Sequence, residues 1–64
     1  MTKKDYILIA GNIADVRLWA EQADDIAVKA VDAVAERLAL ALKTDNPHFD
    51  RARFLKACGT QPVS

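Results

Sequence analysis

The sequence predicts an all-α fold, a small three-helix domain in which two longer helices form a hairpin and a short capped helix follows. Three observations carry this. Alanine is abundant, the two glycines and two prolines fall at a few points only, and apolar residues recur every three or four positions instead of alternating with polar ones over a strand's length. With 64 residues there is room for one thin core, because a chain of this size buries only about 60% of the surface its unfolded state exposes. The single cysteine can form no intrachain disulfide and belongs to no set of Cys and His residues at metal spacing. Packing must therefore hold the fold. Below about 70–80 residues a lone core rarely supplies more than about 3–5 kcal/mol, so self-association as a homodimer or a protein partner is expected. Residues 1–59 read as a single helical domain, and residues 60–64, with Pro62 and little to bury, as a flexible, frayed tail.

The first helix opens at Thr2, whose hydroxyl can accept an orphan backbone N–H, and Asp5 three residues later completes a capping-box pattern. Tyr6, Ile9, Ala10, Ile13, Val16 and Ala20 then draw one apolar stripe on a helix running from about Lys3 toward Trp19 or Ala23. Gly11-Asn12 weakens its middle. Glycine costs roughly 1 kcal/mol against alanine inside a helix, so the pair ends a short helix, kinks a longer one or marks close approach of a neighbouring backbone.

Asp24 or Asp25 caps the second helix, which carries Ala27, Val31, Val34, Leu38 and Ala41 at alternating four- and three-residue steps, a heptad seam. That seam is expected to pack on Tyr6, Ile9, Ile13 and Val16. Lys29, Asp32, Glu36 and Lys43 fall opposite it as a solvated face, with Asp25 and Lys29 spaced for an i,i+4 ion pair. Asn46-Pro47 stops the helix, since the residue before proline is pushed out of the α region and Pro47 has no N–H to donate.

The third helix is the best-specified local structure. Asp50 is an N-cap, Phe49 and Phe54 occupy the two positions of a hydrophobic staple, and Gly59 stands where a helix-ending glycine belongs. It should run from about Arg51 to Cys58, with Phe49, Phe54 and Leu55 closing the open end of the core. Lys56 suits the end of the helix dipole, whereas Arg51 and Arg53 in the first turn oppose it.

Charge and chemistry narrow the function classes. Nine basic and nine acidic residues give a formal net charge of zero, which does not indicate a general nucleic-acid or membrane-surface binder. No apolar run approaches the roughly 20 residues of a membrane span. Ile7 to Ala10 is too short for the core of a signal peptide and follows acidic Asp5, so a cytoplasmic protein is expected. His48, with Asp45 and Asp50 nearby, matches no metal loop, because Pro47 and Phe49 stand where oxygen ligands would be needed. Cys58 has no orienting group or oxyanion-hole motif beside it and reads as a small buried hydrophobe. No phosphate loop or catalytic set can be assembled, so no enzyme and no cofactor are expected.

Two surfaces remain. Leu8, Leu18, Trp19 and Leu40 do not fit the main stripes, and on a continuous first helix Leu8 and Trp19 project about 20° apart, on the side away from Tyr6, with Asn12 and Asp15 between them. Tryptophan and arginine are enriched among residues that dominate binding energy, which makes Arg17, Leu18, Trp19 and Leu40 the candidate partner-binding residues. A turn before Trp19 would instead tuck it into the core. Arg51, Arg53 and Lys56, joined by Lys3 and Lys4 if the termini meet, form a candidate phosphate-binding edge that Asp45 and Asp50 could neutralise locally.

The opening Lys4-Asp5-Tyr6 and the closing Asn46-Pro47, Phe49-Asp50, Arg53-Phe54 and Cys58 bracket an alanine-rich middle. In this the chain resembles small bacteriophage- and prophage-encoded proteins with a "KDY" start and a "DNPxFDxxRFxxAC" finish. Helix stop, cap, staple and core account for most of the pattern; Arg53 is the exception. The resemblance implies a phage-type accessory protein in the host cell and brings no catalytic residue. The leading expectation is a non-enzymatic module that binds a host or phage protein through a helical surface. The alternative is a small nucleic-acid-associated regulator using the basic edge, and a third reading is a host metabolite held between protomers.

Overall fold

In a computed structural model, which describes residues 2–60, the chain folds into three helices: α1 (Lys3–Ala23), α2 (Asp25–Asp45) and α3 (Arg51–Ala57). The capping box at the start of α1 is complete. The Asp5 backbone N–H donates to the Thr2 hydroxyl and the Thr2 N–H donates to the Asp5 carboxylate at 3.0 Å. The Thr2 backbone N–H, and after it the Thr2 side chain, stabilise the Asp5 carboxylate and hold it below its ordinary pKa of 3.8. Gly11-Asn12 does not interrupt the helix: Asn12 donates its side-chain amide back to the Leu8 carbonyl at 2.9 Å, and α1 continues for 21 residues.

Asp24 alone separates α1 from α2 and serves both. Its backbone N–H donates to the Ala20 carbonyl, ending α1, and its carboxylate accepts from the Ala27 N–H at 2.7 Å, starting α2. So short a connection folds the helices back antiparallel and holds them close, which decides what fits between them. The side chains buried from the hairpin are Ala10, Ala20, Ala35 and Ala39, with Tyr6, Ile9, Ile13 and Leu42 packed alongside the core.

This differs from the expected seam. Of the stripe Ala27, Val31, Val34, Leu38 and Ala41, only Ala27 and Val31 are half-buried; Val34, Leu38 and Ala41 are exposed, and so is Val16 on α1. Close antiparallel helices admit small residues at the contact, so α2 is turned to place Ala35 and Ala39 inward and the larger β-branched and leucine side chains outward. Arg17 also falls on the inner side of α1. Its guanidinium donates to Asp32 of α2 at 2.8 Å and pairs with Glu21, while its Cδ lies 3.4 Å from where a Cβ on Gly59 would stand. The bond to Asp32 is the main reason this guanidinium is held charged more firmly than usual. Asp25 and Lys29 form no ion pair within 4.0 Å among the described residues.

After α2 the chain turns through Asn46, whose side-chain oxygen accepts the His48 N–H at 3.1 Å, and Lys43 braces this turn by donating to the carbonyls of Pro47 and Phe49. Lys43 thus supports the loop instead of only solvating the outer face. Asp50 caps α3 by accepting from the Arg53 N–H at 3.0 Å, and the staple closes with the Phe49 and Phe54 rings 5.4 Å apart; Tyr6 of α1 meets Phe49 edge-on at 4.7 Å. The helix ends in a Schellman motif. Gly59, at φ 88°, directs its N–H to Lys56, and the Thr60 N–H reaches back to Leu55. Thr60 is buried, and its hydroxyl also donates to Leu55, so it belongs to the fold and not to a frayed tail. The expected fraying of residues 61–64 lies outside the described residues.

Candidate functional site

Continuity of α1 settles the position of Trp19. At about 100° per residue Trp19 lies on the side of the helix opposite buried Ala10, with Leu8 some 20° from it in projection and about 16 Å away along the axis. Both are open to solvent, Trp19 at 70% and Leu8 at 66% exposure, and Leu18 beside Trp19 is exposed as well. Trp19 is therefore not a core residue.

Leu40 is exposed too, but it does not join this patch. In the antiparallel hairpin it sits level with Leu8, and at about 140° from Ala35 it points outward from α2, away from α1. Arg17 leaves the candidate set for a different reason: its guanidinium is engaged by Asp32 and Glu21 and its side chain is largely buried. Of the four predicted partner-binding residues, only Leu18 and Trp19 adjoin, about 100° apart round α1, and Leu8 lies on the Trp19 side with Asn12 and Asp15 between them.

The basic residues separate in a similar way. The N-terminus of α1 does meet α3: Lys3 and Arg53 flank a cleft of 370 Å³ whose floor is Tyr6, Phe49 and Phe54 and whose rim also carries His48 and Asp50. Lys4, Arg51 and Lys56 are exposed but do not line it. Neither Asp45 nor Asp50 forms an ion pair with an arginine among the described residues. Arg53, which capping left unexplained, thus has a position at the cleft. Its place there depends on Pro47 and the Asx turn folding α3 back onto α1, which local sequence patterns do not reveal.

Among the described residues no group of three or more His, Cys, Asp or Glu side chains could hold a metal ion. His48 stands exposed at the turn, and Cys58 is fully buried at the end of α3, where loss of solvent pushes its thiol pKa up and keeps it protonated. No described helix is long and apolar enough to cross a membrane. No family model, curated protein or solved structure matches the chain.

Proposed function

We propose that this protein acts without catalysis, as a phage-type accessory module in the host cytoplasm that binds another protein through the outer face of α1. The observation that carries the reading is Trp19, the only tryptophan, exposed on a continuous helix with Leu18 beside it and Leu8 on the same side. An exposed tryptophan offers the large, rigid contact area that dominates protein–protein binding energy. Affinity capture with the tagged chain from its bacterial host, wild type against Trp19→Ala, tests it. The expected result is a variant with unchanged helical circular dichroism that loses specific partners. Identical captures by the two proteins would refute the reading.

The convergence of Lys3 and Arg53 on one cleft favours a second reading, a nucleic-acid-associated regulator that takes phosphate at this edge. Its binding would fall steeply with salt, because each neutralised phosphate releases counterions. A gel shift at low salt separates the two: absence of any complex retires the nucleic-acid reading and leaves the protein-binding one standing.

A further inference from the structure

The hairpin has two broad sides, and only one is covered. Relative to Ala35, Ala39, Asp32 and Lys43 lie about 40°, 60° and 80° round α2 in one direction, while Leu38, Ala27, Val34 and Ala41 lie about 60° to 120° in the other. Asp32 and Lys43 mark the α3 side: Asp32 through Arg17, which packs near Gly59, and Lys43 through the Phe49 carbonyl. On α1 the residues that line the cleft with α3 run from Ile7, about 60° from Ala10 in the direction of α3, to Tyr6, about 40° the other way, whose ring reaches round to Phe49. Ile13, Ile9 and Val16 lie about 60° to 120° from Ala10 on the side away from Ile7. Because the helices are antiparallel, these two sets share the side of the hairpin that α3 leaves bare.

That side is apolar. Val34 is 54% and Val16 51% exposed, Leu38 and Ala41 are exposed, and Ile9, Ile13, Ala27 and Val31 are half-buried. Asp5 and Asp45 close it at one end and Arg37 lies at its rim, so no charge interrupts its middle. The geometry points to a second copy of this chain as its occupant, packed through a two-fold axis near Val34 with the α2 helices antiparallel.

Two features select a second copy over an unrelated partner. The α2 seam is nearly symmetric in position and complementary in size about Val34. Ala30 stands four residues before it and Leu38 four after, and Ala27 and Ala41 stand seven to either side. An antiparallel copy therefore sets each Leu38 against the partner's Ala30, large against small, and Ala27 against the partner's Ala41, the reciprocal pairing an isologous interface requires. The size also fits. Two helices of about 31 Å lying side by side, each about 10 Å across, present a footprint of about 600 Å², of the order of the roughly 800 Å² per partner in a stable interface. This surface is distinct from the Trp19 face, so the inference goes beyond the proposed function and stands or falls separately.

Size exclusion with light scattering across micromolar concentrations tests it. The expected mass is twice the 7.0 kDa of the chain. Val34→Glu should give a single-chain mass with helical circular dichroism retained, since Val34 is solvent-facing in the protomer, whereas Trp19→Ala should keep the doubled mass. Ala30→Leu sets leucine against leucine and should also lose the dimer, and Ala30→Leu with Leu38→Ala should restore it by exchanging large for small. A single-chain mass for the wild type overturns the inference, as do doubled masses for both Val34→Glu and Ala30→Leu. Failure of the exchanged pair to restore the dimer overturns the antiparallel register. Should Val34→Glu unfold, a wild-type melting temperature that does not rise with concentration is the overturning result.

Discussion

The two sides of the α1–α2 hairpin both carry apolar side chains and differ in what meets them. On the α3 side, Phe49, Phe54, Leu55 and Cys58 are buried against alanines, and the segment carrying them is fixed by a cap, a staple, a Schellman turn and the Lys43 brace. On the opposite side, Val16, Val34 and Leu38 face solvent. Hydrophobic residues on one side are thus a core and on the other an unsatisfied surface. What separates them is the short third helix and the local devices that place it.

The largest predicted difference between the sides comes from truncating one residue on each. Phe54→Ala removes a ring that also staples α3 and should cost about 3–5 kcal/mol, comparable with the roughly 3–5 kcal/mol that a core of this size supplies. Loss of cooperative melting is the expected readout. Val34→Ala should leave the protomer folded and change only its self-association. A folded Phe54→Ala protein, or an unfolded Val34→Ala one, would break the comparison.

Arg17→Met probes the join between the hairpin and the end of α3. It keeps much of the aliphatic stem while removing the hydrogen bond to Asp32, and should cost about 1 kcal/mol in a thermal or urea melt. Gly59→Ala should cost a similar amount, about 1 kcal/mol, because the residue sits at φ 88° in the left-handed region.

Gly11→Ala has the opposite expected sign. Nothing lies within 4 Å of a Cβ there, so the glycine serves no close contact and alanine should stabilise α1 by about 0.5–1 kcal/mol. The smallest effect concerns pH. Asp5 has a lowered folded pKa, so its contribution to the capping box is present above the ordinary value of 3.8 and is lost as pH falls through the lower folded value. Melting temperatures taken through that range should fall slightly more for the wild type than for Asp5→Asn.

Much of this fold is legible in the sequence because its ends carry local, short-range signals. Thr2 with Asp5, Asp24, Asn46-Pro47, Asp50 between its flanking phenylalanines, and Gly59 each act within a few residues, and each appears in the structure at its expected place. The rotation of α2 is not legible in the same way. An alanine-rich helix carries more than one apolar stripe, and hydrophobicity alone favours the one with larger residues, Val34 and Leu38. The single-residue connection at Asp24 instead favours the smaller Ala35 and Ala39. The ion pair of Arg17 is hidden for a related reason: its partner Asp32 is fifteen residues away, and only the antiparallel hairpin brings them together. At the candidate site, the exposed Trp19 could be placed once α1 was known to be continuous, whereas the meeting of Lys3 with Arg53 required the path of α3.

The central claim, that the side of the hairpin left bare by α3 is where two copies meet, is tested most directly by intermolecular nuclear Overhauser effects in a mixture of isotope-labelled and unlabelled chains. The account predicts cross-peaks between protomers from the methyl groups of Val34, Leu38 and Val16, with Leu38 touching the partner's Ala30. Intermolecular cross-peaks confined to Leu8, Leu18, Trp19 or Leu40, or none at all at millimolar concentration, would contradict it.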